Sequence, residues 1–121
     1  MSGRQGMADL LVDTDVFVDH LRGAREFRFG GDSVYYSTIS RCELFAGPEH
    51  QEPAVVKLLA PFRSLAVDSR VAEVGGTIRR ETGILTPDAL IAATAIVHGL
   101  SLLTRNRRDF DRVPRLRLTA P

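Results

Sequence analysis

Short apolar runs rich in β-branched residues alternate along this chain with helical stretches, and that alternation constrains the fold more than any other feature. LLVD (residues 10–13), VYYST (34–38), SLAVD (64–68) and SLLT (101–104) read as strands, with LRL (116–118) as a last edge strand. Helical stretches over 14–21, 40–46, 54–62, 69–82 and 86–98 separate them. Strands joined through helices run parallel, and the helices cover both faces of the sheet. The pattern predicts a three-layer α/β/α sandwich with a central, mainly parallel sheet. With 121 residues the chain is expected to form one domain over 1–121, with residues 1–8 as a flexible tail.

Punctuation supports the division. Gly23, Gly47-Pro48, Gly83 and Gly99 follow helical stretches, and residues 27–32 form a Gly-rich connection. Thr86 is expected to cap the helix TPDALIAATAIVH, with Pro87 in its first position. RNRRDFDRVP (105–114) reads as a loop or a single turn.

Composition excludes several classes. Cys42 is the only cysteine, so no disulfide framework or thiolate metal cage can form within the chain, and a reducing cytoplasm is expected. The longest apolar stretch, LIAATAIV, is far too short to span a bilayer, and the polar N-terminus lacks a secretory signal. The net charge of +1 implies no gross attraction to nucleic acid. Lys57 is the only lysine; the arginine bias suits bidentate phosphate contacts, although a GC-rich genome produces the same bias.

The acids carry the chemistry. Asp13 falls where a buried strand ends, the edge at which open α/β sheets bind ligands; a helix cap accounts for it equally well. Glu43 shares a helix face with Ile39, beside Cys42 and Ala46, which points off the solvated side; an exposed helical glutamate accounts for it equally well. Asp88 occupies the first turn of a helix so apolar that it must be buried on nearly all sides; the helix dipole alone also favours an acid there. Asp109 follows the SLLT strand at the same sheet edge, in what is otherwise a polar loop. Each acid alone has an ordinary structural explanation. Converging together, they repel one another and lose hydration at a cost of several kcal/mol. A hard divalent ion, Mg²⁺ or Mn²⁺, relieves that cost and suits hydrolysis of phosphodiesters by an activated water.

The segments LLVDTDVFVDHLRG, ISRCELFAG, TPDALIAATAIVHG and LLTRNRRDF resemble the ordered acidic motifs of PIN-domain ribonucleases, and more narrowly the VapC toxins of VapBC toxin–antitoxin pairs. The resemblance spans Leu10 to about Val113; PDALIAATA followed by TRNRRDF is specific, VDTDV alone is weak. It implies a PIN-like fold, a Mg²⁺-dependent ribonuclease, a homodimer and a cognate VapB-type antitoxin. Asp13 and Asp88 match the family's main metal ligands; Glu43 and Asp109 match acids that act directly or through water. Thr14, Ser40, Thr104 and Asn106 match neutral neighbours that hold carboxylates or waters. Residues 47–69 carry no family signature.

Arg105, Arg107, Arg108 and Arg112 crowd beside Asp109, as a solvated loop, a clamp on the RNA backbone or a dock for acidic antitoxin residues. Asp15 and Asp19 share a helix face that reads as solvated, with Asp15 near enough to support the site. His20, His50 and His98 lack metal-like spacing, and Tyr35 and Tyr36 are expected to pack in or beside the sheet. Two other classes compete. An aspartyl-phosphate enzyme would use the DTD strand end, but Phe17 and a remote Lys57 fit it poorly. A catalytically silent antitoxin-binding module, acting only in operon autoregulation, needs no metal.

Overall fold

A computed structural model describes residues 9–26 and 33–121. β1 (Asp9–Val12) leads into α1 (Thr14–Leu21). β2 (Ser33–Ser37) and α2 (Thr38–Phe45) follow, then a 3₁₀ turn (Glu49–Gln51) and α3 (Glu52–Leu59). β3 (Arg63–Leu65) precedes the long pair α4 (Ser69–Thr82) and α5 (Thr86–His98). β4 (Ser101–Leu103), a short α6 (Arg107–Phe110) and β5 (Leu118–Thr119) complete the order.

The strands form a five-stranded sheet in the order β3-β2-β1-β4-β5, parallel throughout. From β1 the chain adds β2 and β3 on one side, then returns to add β4 and β5 on the other. The carboxyl ends of β1 and β4 therefore mark the point where crossovers leave in opposite directions and a crevice opens. Side chains alternate across the sheet as strand geometry demands. Leu11 and Leu102 meet Val71 and Ile78 of α4 and Ala89, Ile91 and Ala92 of α5. Leu10, Val12 and Leu103 meet Val16 and Phe17 of α1, Leu44 of α2, and Val55 and Leu59 of α3. Each large aliphatic or aromatic side chain so buried contributes about 1.5–3 kcal/mol.

α5 is the most enclosed helix, as its composition predicts: Ala89 and Ile91 through Ala95 are all buried. Small residues let it lie against α4, where a Cβ on Gly75 would come within 2.8 Å of Leu90 Cδ2. Gly83 and Gly99 end α4 and α5 with φ of 74° and 67°, in left-handed backbone that favours glycine.

Several boundaries differ from expectation. α5 covers the expected 86–98, but its cap is Leu85 and not Thr86, because Ala89 N–H bonds the Leu85 carbonyl at 2.9 Å. β3 stops at Leu65, since Asp68 turns out to cap α4 by accepting from Val71 N–H at 2.9 Å. β5 keeps only Leu118 of LRL and adds Thr119, the two residues in register with Leu102 and Leu103. Tyr36 packs within the sheet, edge-on to Phe17. The 1–8 tail and the Gly-rich connection over 27–32 lie outside the described residues.

Candidate active site

Asp13 stands at the crevice because β1 delivers it there. Its N–H bonds the Leu103 carbonyl of β4 at 2.9 Å, tying it to both central strands. One carboxylate oxygen accepts from Thr14 N–H at 2.8 Å and caps α1. The other accepts from the Thr104 hydroxyl, also at 2.8 Å. The cap and the cleft wall are thus the same residue doing both. Asp13 is only 5% exposed. Burial first, then the nearby Asp15 charge, push its carboxyl up to about 7, against the opposing bonds from Thr104 and Thr14.

Glu43 enters from α2. Thr14 Oγ1 lies 2.6 Å from Glu43 Oε1 and 2.8 Å from Ser40 Oγ. A carboxylate only accepts, so the Thr14 proton goes to Glu43 and the buried Ser40 hydroxyl turns toward Thr14. Glu43 and Cys42 are both exposed, which corrects the expectation of a sheltered face. The reason is local: Leu44 is the residue of that turn that enters the core, and Glu43 faces the open mouth of the crevice instead.

Asp88 comes from the first turn of α5. Burial raises its carboxyl, and the charges of Glu43, Asp109 and Asp15 raise it further. Asp109, on α6, does not line the cleft. Asn106, which does, donates Nδ2–H to its carboxylate at 3.2 Å.

Asp15, read from sequence on a solvated face but near enough to support the site, lines the cleft itself. It receives Arg105 N–H at a long 3.5 Å and stands 3.5 Å from the Thr104 hydroxyl oxygen, whose one proton goes to Asp13. Burial raises its carboxyl above the ordinary value, with Arg105 opposing. The DTD doublet is the signal that could have found it, since one helical residue separates the two acids. Arg105 lines the cleft and pairs with Asp19. Arg107 and Arg108 are exposed on α6. Arg112 departs from expectation: its guanidinium donates to the Thr82 carbonyl at the end of α4, away from the cleft. Lys57 and His20 line a separate groove beside Leu58 and Phe62.

Asp13, Asp15, Glu43 and Asp88 therefore share one open cleft of about 280 Å³ with Thr14, Val18, Arg105 and Asn106. Among the described residues, no three histidine, cysteine, aspartate or glutamate side chains close into a cage that would grip an ion unaided. The donors are oxygens whose ionised forms oppose one another, and the one cation on the wall is already paired. That set fits a hard divalent ion which keeps part of its water shell.

This fold, with acids gathered at its switch point, has a known class. Residues 10–116 match the family model of the PIN domain. The chain is 37% identical to Ribonuclease VapC19 of Mycobacterium tuberculosis, over 88% of this chain and 95% of that protein. It superposes on the DNA-bound VapBC of Salmonella typhimurium with a TM-score of 0.85 at 26% identity, covering 94% of this chain and 98% of the other. A toxin–antitoxin complex from Klebsiella pneumoniae gives a TM-score of 0.74 at 30% identity, over 88% and 93% of the two chains. The chain belongs to the PIN-domain family, in its VapC branch.

Proposed function

We propose that this chain is the toxin of a toxin–antitoxin pair and hydrolyses RNA phosphodiester bonds at the acidic cleft, with Mg²⁺, or Mn²⁺ in its place. The observation that carries this is the meeting of Asp13 and Asp88 with Glu43 in one cleft, where the Glu43 charge opposes ionisation of Asp88 and the Asp88 charge opposes that of Asp13. Asp13 and Asp88 would hold the ion most directly; Glu43 and Asp109 would act through water or orient the attacking water. An ion held there would neutralise the acids and supply charge stabilisation for the phosphate.

The chain's own residues prepare that step. Thr104 and the start of α1 fix both oxygens of Asp13, so its orientation does not depend on the ion. Thr14, itself bonded to Ser40, holds Glu43 against α1, and Asn106 holds Asp109. The water oxygen joins phosphorus as the bond from phosphorus to O3′ breaks, leaving a 5′-phosphate and a 3′-hydroxyl. An aspartyl-phosphate mechanism lacks its lysine, because Lys57 lies in the other groove.

A cognate VapB-type antitoxin silences the enzyme, which works as a homodimer in the cytoplasm. Among the described residues, no helix is long and apolar enough to cross a membrane. The test is induction of wild type and Asp88→Asn in cells, with RNA 5′ ends mapped. Growth arrest and new 5′ ends are expected from the wild type alone. Equal arrest by both would leave the silent antitoxin-binding module as the explanation.

A further inference from the structure

RNA is a polyanion, and a wall of Asp13, Asp15, Glu43 and Asp88 repels it. Arg105 is the one cation among the described residues that line this cleft. Its Nε–H donates to Asp19 Oδ2 at 2.7 Å. The partners are unequally placed: the Asp19 side chain is 14% exposed and the Arg105 side chain 52%. Asp19 stands one helical turn after Asp15 on α1, so both acids face the loop that follows β4. Asp15 receives the Arg105 backbone N–H, and Asp19 receives its side chain. The contact with Asp19 is made through Nε, at the side of the guanidinium away from the outer edge of its two Nη groups.

We propose that Arg105 contacts a phosphate of the RNA and that Asp19 is the positioning residue that aims it. The proposal rests on the cleft being a nuclease site. An exposed ion pair with a single contact adds little to stability. Fixing Nε does, however, restrict a long side chain and leaves the Nη edge free for the paired contact that guanidinium makes with phosphate. Binding through Arg105 would bring the backbone to the mouth of the cleft while the acids stay available for the ion.

The test is cleavage of a short single-stranded RNA by the full chain with Mg²⁺ over a range of salt concentrations. Arg105→Gln should raise KM about 5- to 10-fold with kcat within about twofold, and should reduce the salt slope by about 0.7, the share of one phosphate on a single strand. Asp19→Asn should raise KM about 2- to 4-fold and add nothing in the Arg105→Gln background, because the two residues act as one unit. Asp19→Glu should recover most of the loss. An unchanged KM and salt slope in Arg105→Gln overturns the proposal, as does a full additional effect of Asp19→Asn in the double variant. Unaltered cleavage combined with escape from the antitoxin would assign Arg105 to a protein partner instead. A wild type that cleaves no RNA defeats the nuclease function itself; RNA binding by Asp88→Asn, with and without Arg105→Gln, then decides the phosphate contact separately through the salt slope.

Discussion

The cleft at the carboxyl edge of the sheet and the seam between α4 and α5 are built by opposite rules. At the seam, Val71, Ile78, Ala89 and Ala92 are buried to 2% exposure or less, and Gly75 makes room for Leu90. In the cleft, burial and neighbouring charge raise the carboxyls of Asp13, Asp15 and Asp88. The seam lowers the free energy of the fold; the cleft raises it. A site that costs stability without a ligand is one arranged for a ligand, and the packed seam is what lets the molecule tolerate it.

The largest effects should separate the two regions cleanly. Asp88→Asn should cut RNA cleavage at least about a hundredfold, since an ion ligand accounts for several kcal/mol of transition-state charge stabilisation, while thermal unfolding shows equal or higher stability. Ile78→Ala, which empties a seam position, should cost about 2–5 kcal/mol in denaturant unfolding and leave the activity per folded molecule intact. If the two variants failed in the same assay, the division between the regions would be false.

A pH series sharpens the comparison. The Asp13 carboxyl, ordinarily near 3.8, is pushed up to about 7 by its burial in the fold and by the Asp15 charge. Between those values the folded chain keeps a proton that the unfolded chain has lost, so this group's contribution to stability falls as pH rises through the window. In metal-free buffer, wild type should lose about 1–4 kcal/mol relative to Asp13→Asn between about pH 4 and pH 7. Added Mg²⁺ should recover stability more above that window than below it, because it binds the ionised acids of the folded state. Parallel pH curves for the two proteins would mean that burial does not oppose ionisation of Asp13.

Smaller effects follow from single hydrogen bonds. Thr104→Val leaves one oxygen of the buried Asp13 without its donor and should cost about 1–3 kcal/mol, along with part of the activity. Smallest is a contrast between helix starts: Asp68→Ala should cost about 1 kcal/mol, since Asp68 caps α4, whereas Thr86→Ala should stay within about 0.5 kcal/mol. Equal losses for the pair would place a cap at Thr86 after all.

Much of the fold was legible because it rests on local patterns. β1, β4, α4 and α5 stand close to where apolar runs and terminal glycines put them, and the five-stranded sheet is parallel because helices separate the strands. The edge strands were harder. β3 and β5 have only three and two residues, and their ends are set by pairing with β2 and β4 rather than by their own sequence. In the cleft, Asp13 and Asp88 were legible from strand-end and helix-start positions. Asp15 was not, because its environment comes from Thr104 and Arg105, 89 and 90 residues away. Glu43 faced the opening rather than the core for a similar reason: a helix period identifies a face but not what lies opposite it. Arg112 looked like its arginine neighbours in sequence, yet the turn after α6 carries it to the end of α4.

The bond between Thr104 and Asp13 joins residues 91 positions apart. During synthesis Asp13 leaves the ribosome early, yet its carboxylate has no opposite wall until β4 has been made and has docked beside β1. Such long-range pairing is among the slower steps of folding. A partly made chain therefore lacks the assembled cleft, and the capacity to cleave RNA arises only after β4 has been made and has docked beside β1.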